Sequence, residues 1–143
     1  MKKVAHILDQ KGREVWTVPP DHTVFDALQL LAEKDVGALV VADGSRVLGI
    51  FSERDYARRV ILMGRRSHES RVEEVMTPDP IAISPESTVR DCMTLMTLNR
   101  VRHLPVVAGD ALVGMVTIGD VVKAVIEEQG VVIDQLERYI RGR

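Results

Sequence analysis

The order of apolar and polar positions along this chain occurs twice. When the sequence is shifted by 65 positions, so that Thr23 falls on Thr88, it aligns with itself without a gap from about residue 18 to residue 61. The most similar stretches are 36–39 with 101–104 and 49–55 with 114–120. An internal repeat indicates one supersecondary unit present more than once. The chain is therefore predicted to contain two copies of one structural unit.

Each copy contains a helical pattern with one apolar face. In the first copy the apolar side chains recur at the i, i+3, i+4, i+7 spacing of an amphipathic helix, at Val24, Ala27, Leu28 and Leu31. The second copy repeats this spacing at Val89, Cys92, Met93 and Met96. Thr23 and Thr88 precede the two helices and are the predicted N-caps, each with an Asp three positions later that resembles a capping box.

The remaining apolar runs predict strands. Short β-rich stretches at 15–18 and 81–83 precede the helices, and two apolar runs separated by turn residues follow each helix. Each pair of runs (38–42 with 47–51, and 104–108 with 112–116) predicts a hairpin. A second helix is predicted to begin near Asp55 and near Asp120. The fold class is therefore α/β (α+β), with two pseudo-symmetric β-α-β-β-α units packed sheet to sheet or helix to helix.

The polar stretch 64–71 is the predicted connector between the units. We place the first unit at residues 8–64 and the second at 72–130, with residues 72–76 as a short helical lead into the second. After Gly130, apolar residues at helical spacing predict an amphipathic tail helix over 131–143, which covers an edge or meets another subunit.

Composition excludes several classes of function. The chain has 19 Lys and Arg against 21 Asp and Glu, which argues against a nucleic-acid or membrane partner held by bulk charge. No apolar run is long enough to span a bilayer. The single cysteine, Cys92, excludes an internal disulfide framework, and a cytoplasmic protein is predicted. No catalytic or metal-ligating motif is present, so the chain is predicted not to be an enzyme.

The pattern Gly-h-h-Ser/Thr-x-x-Asp, where h is hydrophobic, stands between a predicted strand and a predicted helix in both units. Two copies in fixed register resemble a tandem cystathionine β-synthase (CBS) domain pair, also called a Bateman module, most closely at 49–56 and 101–107. This resemblance implies two clefts that bind adenosine-containing ligands such as AMP, ADP, ATP, NAD(H) or S-adenosylmethionine, with no catalytic cofactor. It also implies homodimers with a flat, disc-like shape.

The polar residues of the repeated pattern are the candidate ligand contacts. The carboxylates of Asp55 and Asp120 suit the two hydroxyls of a ribose, and the hydroxyls of Ser52 and Thr117 suit phosphate oxygens. Helix capping is the alternative role for Asp55 and Asp120. The basic residues beside the pattern, which are the further candidates for phosphate contact, are Arg54, Arg102 and His103.

The resemblance also implies how the two clefts are composed. One cleft combines Ser52, Arg54 and Asp55 with Val101 and Arg102, and it is predicted to bind a charged nucleotide more tightly. In the other, Thr117 and Asp120 face residues of the first unit, namely His22, Val36 and Gly37. Apolar positions that suit an adenine slot, or alternatively the core, are Val18, Val36, Ala38, Ile81, Val101 and Leu104.

A regulatory module that senses an adenosyl nucleotide is therefore predicted, with an unidentified protein as a further possible target. Ligand binding between the units would change their relative orientation and hence the dimer or a partner's surface. The alternative is a dimerisation scaffold that needs no ligand. The Ser/Thr-x-x-Asp pattern in both units favours the sensor, because a scaffold has no need of two ribose acceptors.

Overall fold

The computed structural model describes residues 2–141 of the chain and confirms the mixed α/β class. The helices are Val4–Lys11 (α1), Val24–Lys34 (α2), Glu53–Asp55 (α3, continued by a π-helical segment, Tyr56–Ile61), Val72–Val75 (α4), Val89–Asn99 (α5) and Ile118–Arg141 (α6). The strands are Thr17–Val18 (β1), Ala38–Asp43 (β2), Arg46–Ser52 (β3), Thr77–Pro78 (β4), His103–Ala108 (β5) and Ala111–Thr117 (β6). Within residues 2–141, no helix is long and apolar enough to cross a membrane.

The predicted hairpins are confirmed. β2 and β3 pair antiparallel within a four-stranded sheet of order β1-β2-β3-β4, and β5 and β6 pair antiparallel in a two-stranded sheet. Gly44 and Gly109 each have a φ of 61° in the two hairpin turns, a backbone conformation that side chains with a Cβ disfavour. The same turn chemistry therefore closes the same hairpin in both units.

The predicted first strands are shorter in the structure. β1 comprises only Thr17–Val18 of the predicted stretch 15–18, and it ends where Pro19 and Pro20, which have no N–H for further pairing, follow it. The strand predicted at 81–83 is wrong: Ile83 forms a single bridge with Val106. Pro80 and Pro85 stand on either side of this stretch and limit its pairing in the same way.

The predicted N-caps are confirmed. The hydroxyl of Thr23 accepts the N–H of Asp26 at 3.1 Å. In the second unit Thr88 accepts the N–H of Asp91 at 3.1 Å, and the Asp91 carboxylate accepts the N–H of Thr88 at 2.9 Å. This reciprocal pair is a capping box in which Asp takes the place of the usual Glu.

Each hydrophobic core is completed by a segment that precedes the other unit. Val72 and Val75 of α4 belong to the core of the first unit. Helix α1, which the sequence analysis did not predict, places Val4, Ile7 and Leu8 in the core of the second unit. The two units therefore exchange their leading segments.

Two glycines show that this exchange is symmetric. A Cβ on Gly114 of β6 would lie 2.6 Å from Leu8 Cδ2, and a Cβ on Gly49 of β3 would lie 2.6 Å from Met76 Sδ. Both distances are too short for a side chain, so each glycine permits close approach of the exchanged segment. Leu8 therefore packs on the second sheet as Met76 packs on the first.

The sheet of the first unit is covered on both faces. Successive side chains of a strand point to opposite faces, and Leu39 and Val41 of β2 lie in the first core. Val40, which points the other way, is also fully buried. This burial supports packing of the two units sheet to sheet.

Helix α6 differs from its prediction. It begins at Ile118 and continues without a break through Gly130 to Arg141, so the predicted tail is an extension of the second helix of this unit. Residues 142–143 of that predicted tail lie outside the described residues. The boundaries at 8–64, 72–130 and 131–143 stay a prediction.

Candidate functional site

A cleft of about 700 Å³ lies between the two units. The end of β3 and the helix after it line one side, the chain after β4 lines the floor, and the segment between α5 and β5 lines the other side. The predicted site residues that it brings together are Gly37, Ser52, Arg54, Asp55, Ile81, Val101, Arg102 and His103. Five of these, namely Ser52, Arg54, Asp55, Val101 and Arg102, belong to the cleft predicted to bind phosphate, and His103 follows Arg102 in the sequence.

Asp55 is the most buried charged group in this cleft, with 8% of its surface exposed. One carboxylate oxygen, Oδ2, accepts the backbone N–H of Ser52 at 2.9 Å and its hydroxyl at 3.0 Å. The other oxygen, Oδ1, accepts the Thr77 hydroxyl at 3.1 Å. The Ser52 hydroxyl in turn accepts the N–H of Asp55 at 3.2 Å. The helix-capping role considered from the sequence is therefore present in the structure.

The second copy of the pattern has the same cap but a different third partner. Asp120 Oδ2 accepts the N–H of Thr117 at 2.9 Å, and the Thr117 hydroxyl accepts the N–H of Asp120 at 3.2 Å. Lys11 of α1 then places its ammonium 2.7 Å from the same Oδ2 and donates to the carbonyl of Met115 at 2.9 Å. A cation of the exchanged segment therefore donates directly to the second carboxylate, whereas at the first Thr77 donates to Oδ1 and Arg59 Nε stands 3.9 Å from the same oxygen.

Arginines give the first cleft its positive charge. Arg54 and Arg58 lie on the helical segment that follows β3, and Arg100 and Arg102 lie on the loop before β5. The Arg54 guanidinium donates to the carbonyl of Arg100 at 3.2 Å, so one arginine already connects the two units. Four guanidinium groups outnumber the acidic side chains of the cleft, which are Glu53, Asp55 and Asp79. The cleft is therefore suited to an anionic ligand.

His103 lies between the two copies of the pattern. Its Nε2 is 3.6 Å from the position that a Cβ on Gly37 would take, which places the ring within contact distance of the start of β2. Burial holds the pKa of His103 below its ordinary value of 6.5, and the positive charge of Arg102 lowers this pKa further. The charges of Glu53 and Asp120 act in the opposite direction. At neutral pH His103 therefore contributes mainly an uncharged ring.

The other predicted site residues lie elsewhere. Leu104 is fully buried in the second core and Val18 is buried in the first, because both point to the helix-covered side of their strands. Val36 packs against the first core, and Ala38 is buried at the start of β2. His22 is exposed, and its carbonyl accepts the N–H of Val72 at 2.9 Å.

Sequence reasoning missed several residues of the cleft, namely Glu53, Arg58, Thr77, Asp79, Asn99 and Arg100. One helical turn after Arg54, Arg58 could have been found from the i, i+4 spacing. Thr77 and Asp79 could not, because they lie on the exchanged segment, whose packing on the first unit no local pattern indicates. Among the residues that the structure describes, no cluster of His, Cys, Asp and Glu has the arrangement of a metal site.

The family whose sequence model matches this chain is the CBS domain, at residues 5–62 and 72–127. The chain belongs to the CBS domain family and contains two copies of the domain. The resemblance noted in the sequence is thereby confirmed.

Three relatives illustrate this membership. The mitochondrial CBS domain-containing protein CBSX3 of Arabidopsis thaliana is 38% identical over 149 residues, which cover 97% of this chain and 72% of CBSX3. A solved structure of a putative signal-transduction protein with CBS domains from Burkholderia ambifaria MC40-6 is 48% identical with a TM-score of 0.86, covering 90% of this chain and 96% of that one. CBSX2, solved in complex with AMP, is 27% identical with a TM-score of 0.72, covering 90% of this chain and 99% of CBSX2.

Proposed function

We propose that this protein is a regulatory module that binds an adenosyl nucleotide in the cleft between its two CBS units. The observation that carries this proposal is the composition of the cleft, where the Ser52–Asp55 pair faces four arginines contributed by both units. Its volume of about 700 Å³ lies in the ordinary range of small-molecule sites. The AMP bound to CBSX2 supports the same class of ligand.

Each polar group has a proposed role in binding. The Asp55 carboxylate accepts the ribose hydroxyls, exchanging the Thr77 hydroxyl for a ligand hydroxyl at Oδ1. The Ser52 hydroxyl and the guanidinium groups of Arg54 and Arg102 bind phosphate oxygens, and His103 adds an uncharged donor. Gly37, Ile81 and Val101 form the apolar wall for the adenine.

The two clefts are proposed to be unequal. In the second one, Thr117 and Asp120 have the phosphate and ribose roles, but Lys11 already occupies Asp120 Oδ2, so a ribose that uses both carboxylate oxygens must compete with its ammonium. A partly exposed ion pair of this kind contributes about 0.5–1 kcal/mol. The second cleft is therefore the weaker site for an uncharged nucleoside.

AMP is the first ligand to test, and ADP, ATP, NAD(H) and S-adenosylmethionine share the adenosine that the cleft would recognise. Binding is proposed to act as a signal because Arg54 already joins the units through the Arg100 carbonyl, and a phosphate would compete for that guanidinium. The change would pass to a homodimer or to a protein target.

We infer a binding role rather than catalysis, with no nucleic-acid or membrane partner. A cytoplasmic location stays a prediction.

A ligand-independent dimerisation scaffold is the second candidate. Two observations favour it: every oxygen of Asp55 already has a protein partner, and helix α6 carries a long exposed apolar face. The two functions differ in whether Asp55 contributes to ligand binding.

A thermal-shift panel separates them. Purified protein is heated with AMP, ADP, ATP, NAD⁺, NADH, S-adenosylmethionine and adenosine, and a ligand that binds the folded state raises the melting temperature by mass action. The shift should disappear in Asp55→Ala. It should persist in Asp91→Ala, the matched control, because Asp91 has the same capping role on α5 outside this cleft. If no ligand shifts the folded protein, the scaffold is the correct function.

A further inference from the structure

Helix α6 carries most of the large apolar side chains that are exposed among the described residues. Side chains that normally lie in a protein interior are solvent-exposed along its whole length, from 45% at Ile118 to 72% at Tyr139. Its only fully packed residues are near its start, at Val121 and Ala124. A contiguous apolar surface of this size on a soluble-protein helix indicates an interaction site.

These side chains form a coiled-coil stripe. At about 100° of rotation per residue, six positions in alternating steps of four and three residues fall within about 40° of one direction. They are Val122, Ile126, Gln129, Ile133, Leu136 and Ile140. The family match ends at residue 127, so most of this stripe lies beyond the CBS domain itself.

The stripe is complementary to itself when a second copy lies antiparallel to it. A twofold rotation about a point near residue 131 generates this second copy. Val122 then pairs with Ile140 of the second copy, Ile126 with Leu136, and Gln129 with Ile133. Each residue of the stripe thus meets its counterpart from the other end of the same helix. Such reciprocity is what a twofold interface between identical chains requires.

The flanking charges agree with the antiparallel direction and not with the parallel one. Lys123 and Glu137 lie on the same side of the stripe, and the antiparallel arrangement places each beside the other residue of the second copy. In a parallel pair, the same two side chains would face apolar residues, Ile118 and Val132. The antiparallel arrangement alone therefore pairs opposite charges.

Gly130 fits the same arrangement. A glycine within a helix costs about 1 kcal/mol relative to alanine, and nothing in this chain lies within 4 Å of the position of its Cβ. In the antiparallel pair Gly130 lies beside the stripe, on the same side as Lys123 and Glu137, and the two copies of Gly130 come next to each other near the twofold axis. The interface thereby accounts for a residue that the isolated chain does not explain.

We propose that the stripe of α6 is the binding surface for α6 of a second copy, in antiparallel orientation. This inference rests on the homodimer included in the proposed function and specifies which surface forms it. It does not depend on whether the cleft binds a nucleotide.

Cross-linking tests the orientation. Val122→Cys and Ile140→Cys are combined in one chain and treated with a short bis-maleimide. Cys92 does not compete, because it is fully buried and burial raises its pKa to about 11. The double variant should give cross-linked dimers and each single variant should not, since equal positions of antiparallel copies lie about 27 Å apart. Dimers from Ile140→Cys alone would show a parallel pair, and no product from the double variant would overturn the inference.

The molar mass of the protein in solution tests whether this stripe forms the dimer. The wild-type chain should be a dimer and Ile133→Asp a monomer, with any AMP-induced thermal shift retained. Lys123→Glu should weaken the dimer by roughly five- to tenfold, and adding Glu137→Lys should restore it. A wild-type monomer would refute the proposed homodimer, whereas an Ile133→Asp dimer of unchanged affinity would refute this surface alone. Absence of any nucleotide shift would refute the proposed ligand and leave the interface standing.

Discussion

The contact between Leu8 and Gly114 gives a quantitative test of the exchanged core. Leu8 is almost fully buried, and its deletion to alanine removes packing that typically stabilises a protein by about 2–5 kcal/mol. A methyl group on Gly114 would lie 2.6 Å from Leu8 Cδ2, about 1 Å closer than carbon atoms tolerate. Gly114→Ala should therefore cost about 1–3 kcal/mol by overpacking.

The two changes should compensate each other. The three atoms nearest to that methyl group, Cδ2, Cδ1 and Cγ, all belong to the Leu8 side chain and are all absent in Leu8→Ala. In the Leu8→Ala background, Gly114→Ala should cost about 0 kcal/mol, which gives a coupling energy of about 1–3 kcal/mol. Urea unfolding of the four proteins measures this coupling.

Two controls define the result. Gln10→Ala, an exposed change on the same helix, should stay within about 0.5 kcal/mol of wild type. Gly49→Ala should not be rescued by Met76→Ala, because the backbone oxygen of Thr77 would still lie 2.7 Å from the new methyl group. If Gly114→Ala costs the same with and without the Leu8 side chain, helix α1 does not pack on β6 and the exchanged core is wrong.

Two further predictions concern the polar groups near the clefts. Lys11→Met should free the Asp120 carboxylate and raise the affinity of the second cleft for adenosine by about two- to fivefold, measured in an Asp55→Asn background; equal affinities would contradict the role of Lys11. In the His103→Gln variant, the free energy of unfolding should decrease less steeply than in the wild type as the pH is lowered. Because the pKa of His103 is lowered in the folded state, the unfolded chain binds more protons as the pH falls through 6.5, and stability is lost there. Melting temperatures that change in parallel from about pH 7.5 to 5 would contradict this.

The repeated part of the fold could be predicted from the sequence because its signals are local. Helix caps at Thr23 and Thr88, and hairpin turns at Gly44 and Gly109, depend on neighbours within a few residues. The repeated Ser/Thr-x-x-Asp pattern likewise located both caps and one side of the cleft. Because local chemistry determines these features, they can be predicted from the sequence.

Features that depend on distant contacts could not be predicted. The short stretch 4–11 lacks an N-cap side chain and has only two full turns, so nothing local distinguishes α1 from a leader to the first unit. Its burial arises from the second sheet, more than 100 residues away along the chain. Lys11 reaches Asp120, and Thr77 reaches Asp55, only because of the same exchange. Leu104 and Val18, predicted to line a pocket, lie in the cores instead. An apolar side chain suits both positions, so the residue type alone cannot distinguish them.

Calorimetric titration with AMP and with adenosine tests the central claim most directly. Arg54 is exposed and its substitution should leave the fold intact, while a charge-assisted hydrogen bond to phosphate contributes about 1.5–3 kcal/mol. Arg54→Ala should therefore weaken AMP by about tenfold or more and leave adenosine almost unchanged. Arg46→Ala, at the start of β3 beside the distant hairpin turn, serves as the charge-matched control and should change neither affinity. Equal losses for AMP and adenosine in Arg54→Ala would contradict the phosphate role of Arg54, and no AMP binding by the wild-type protein would contradict an AMP site in this cleft.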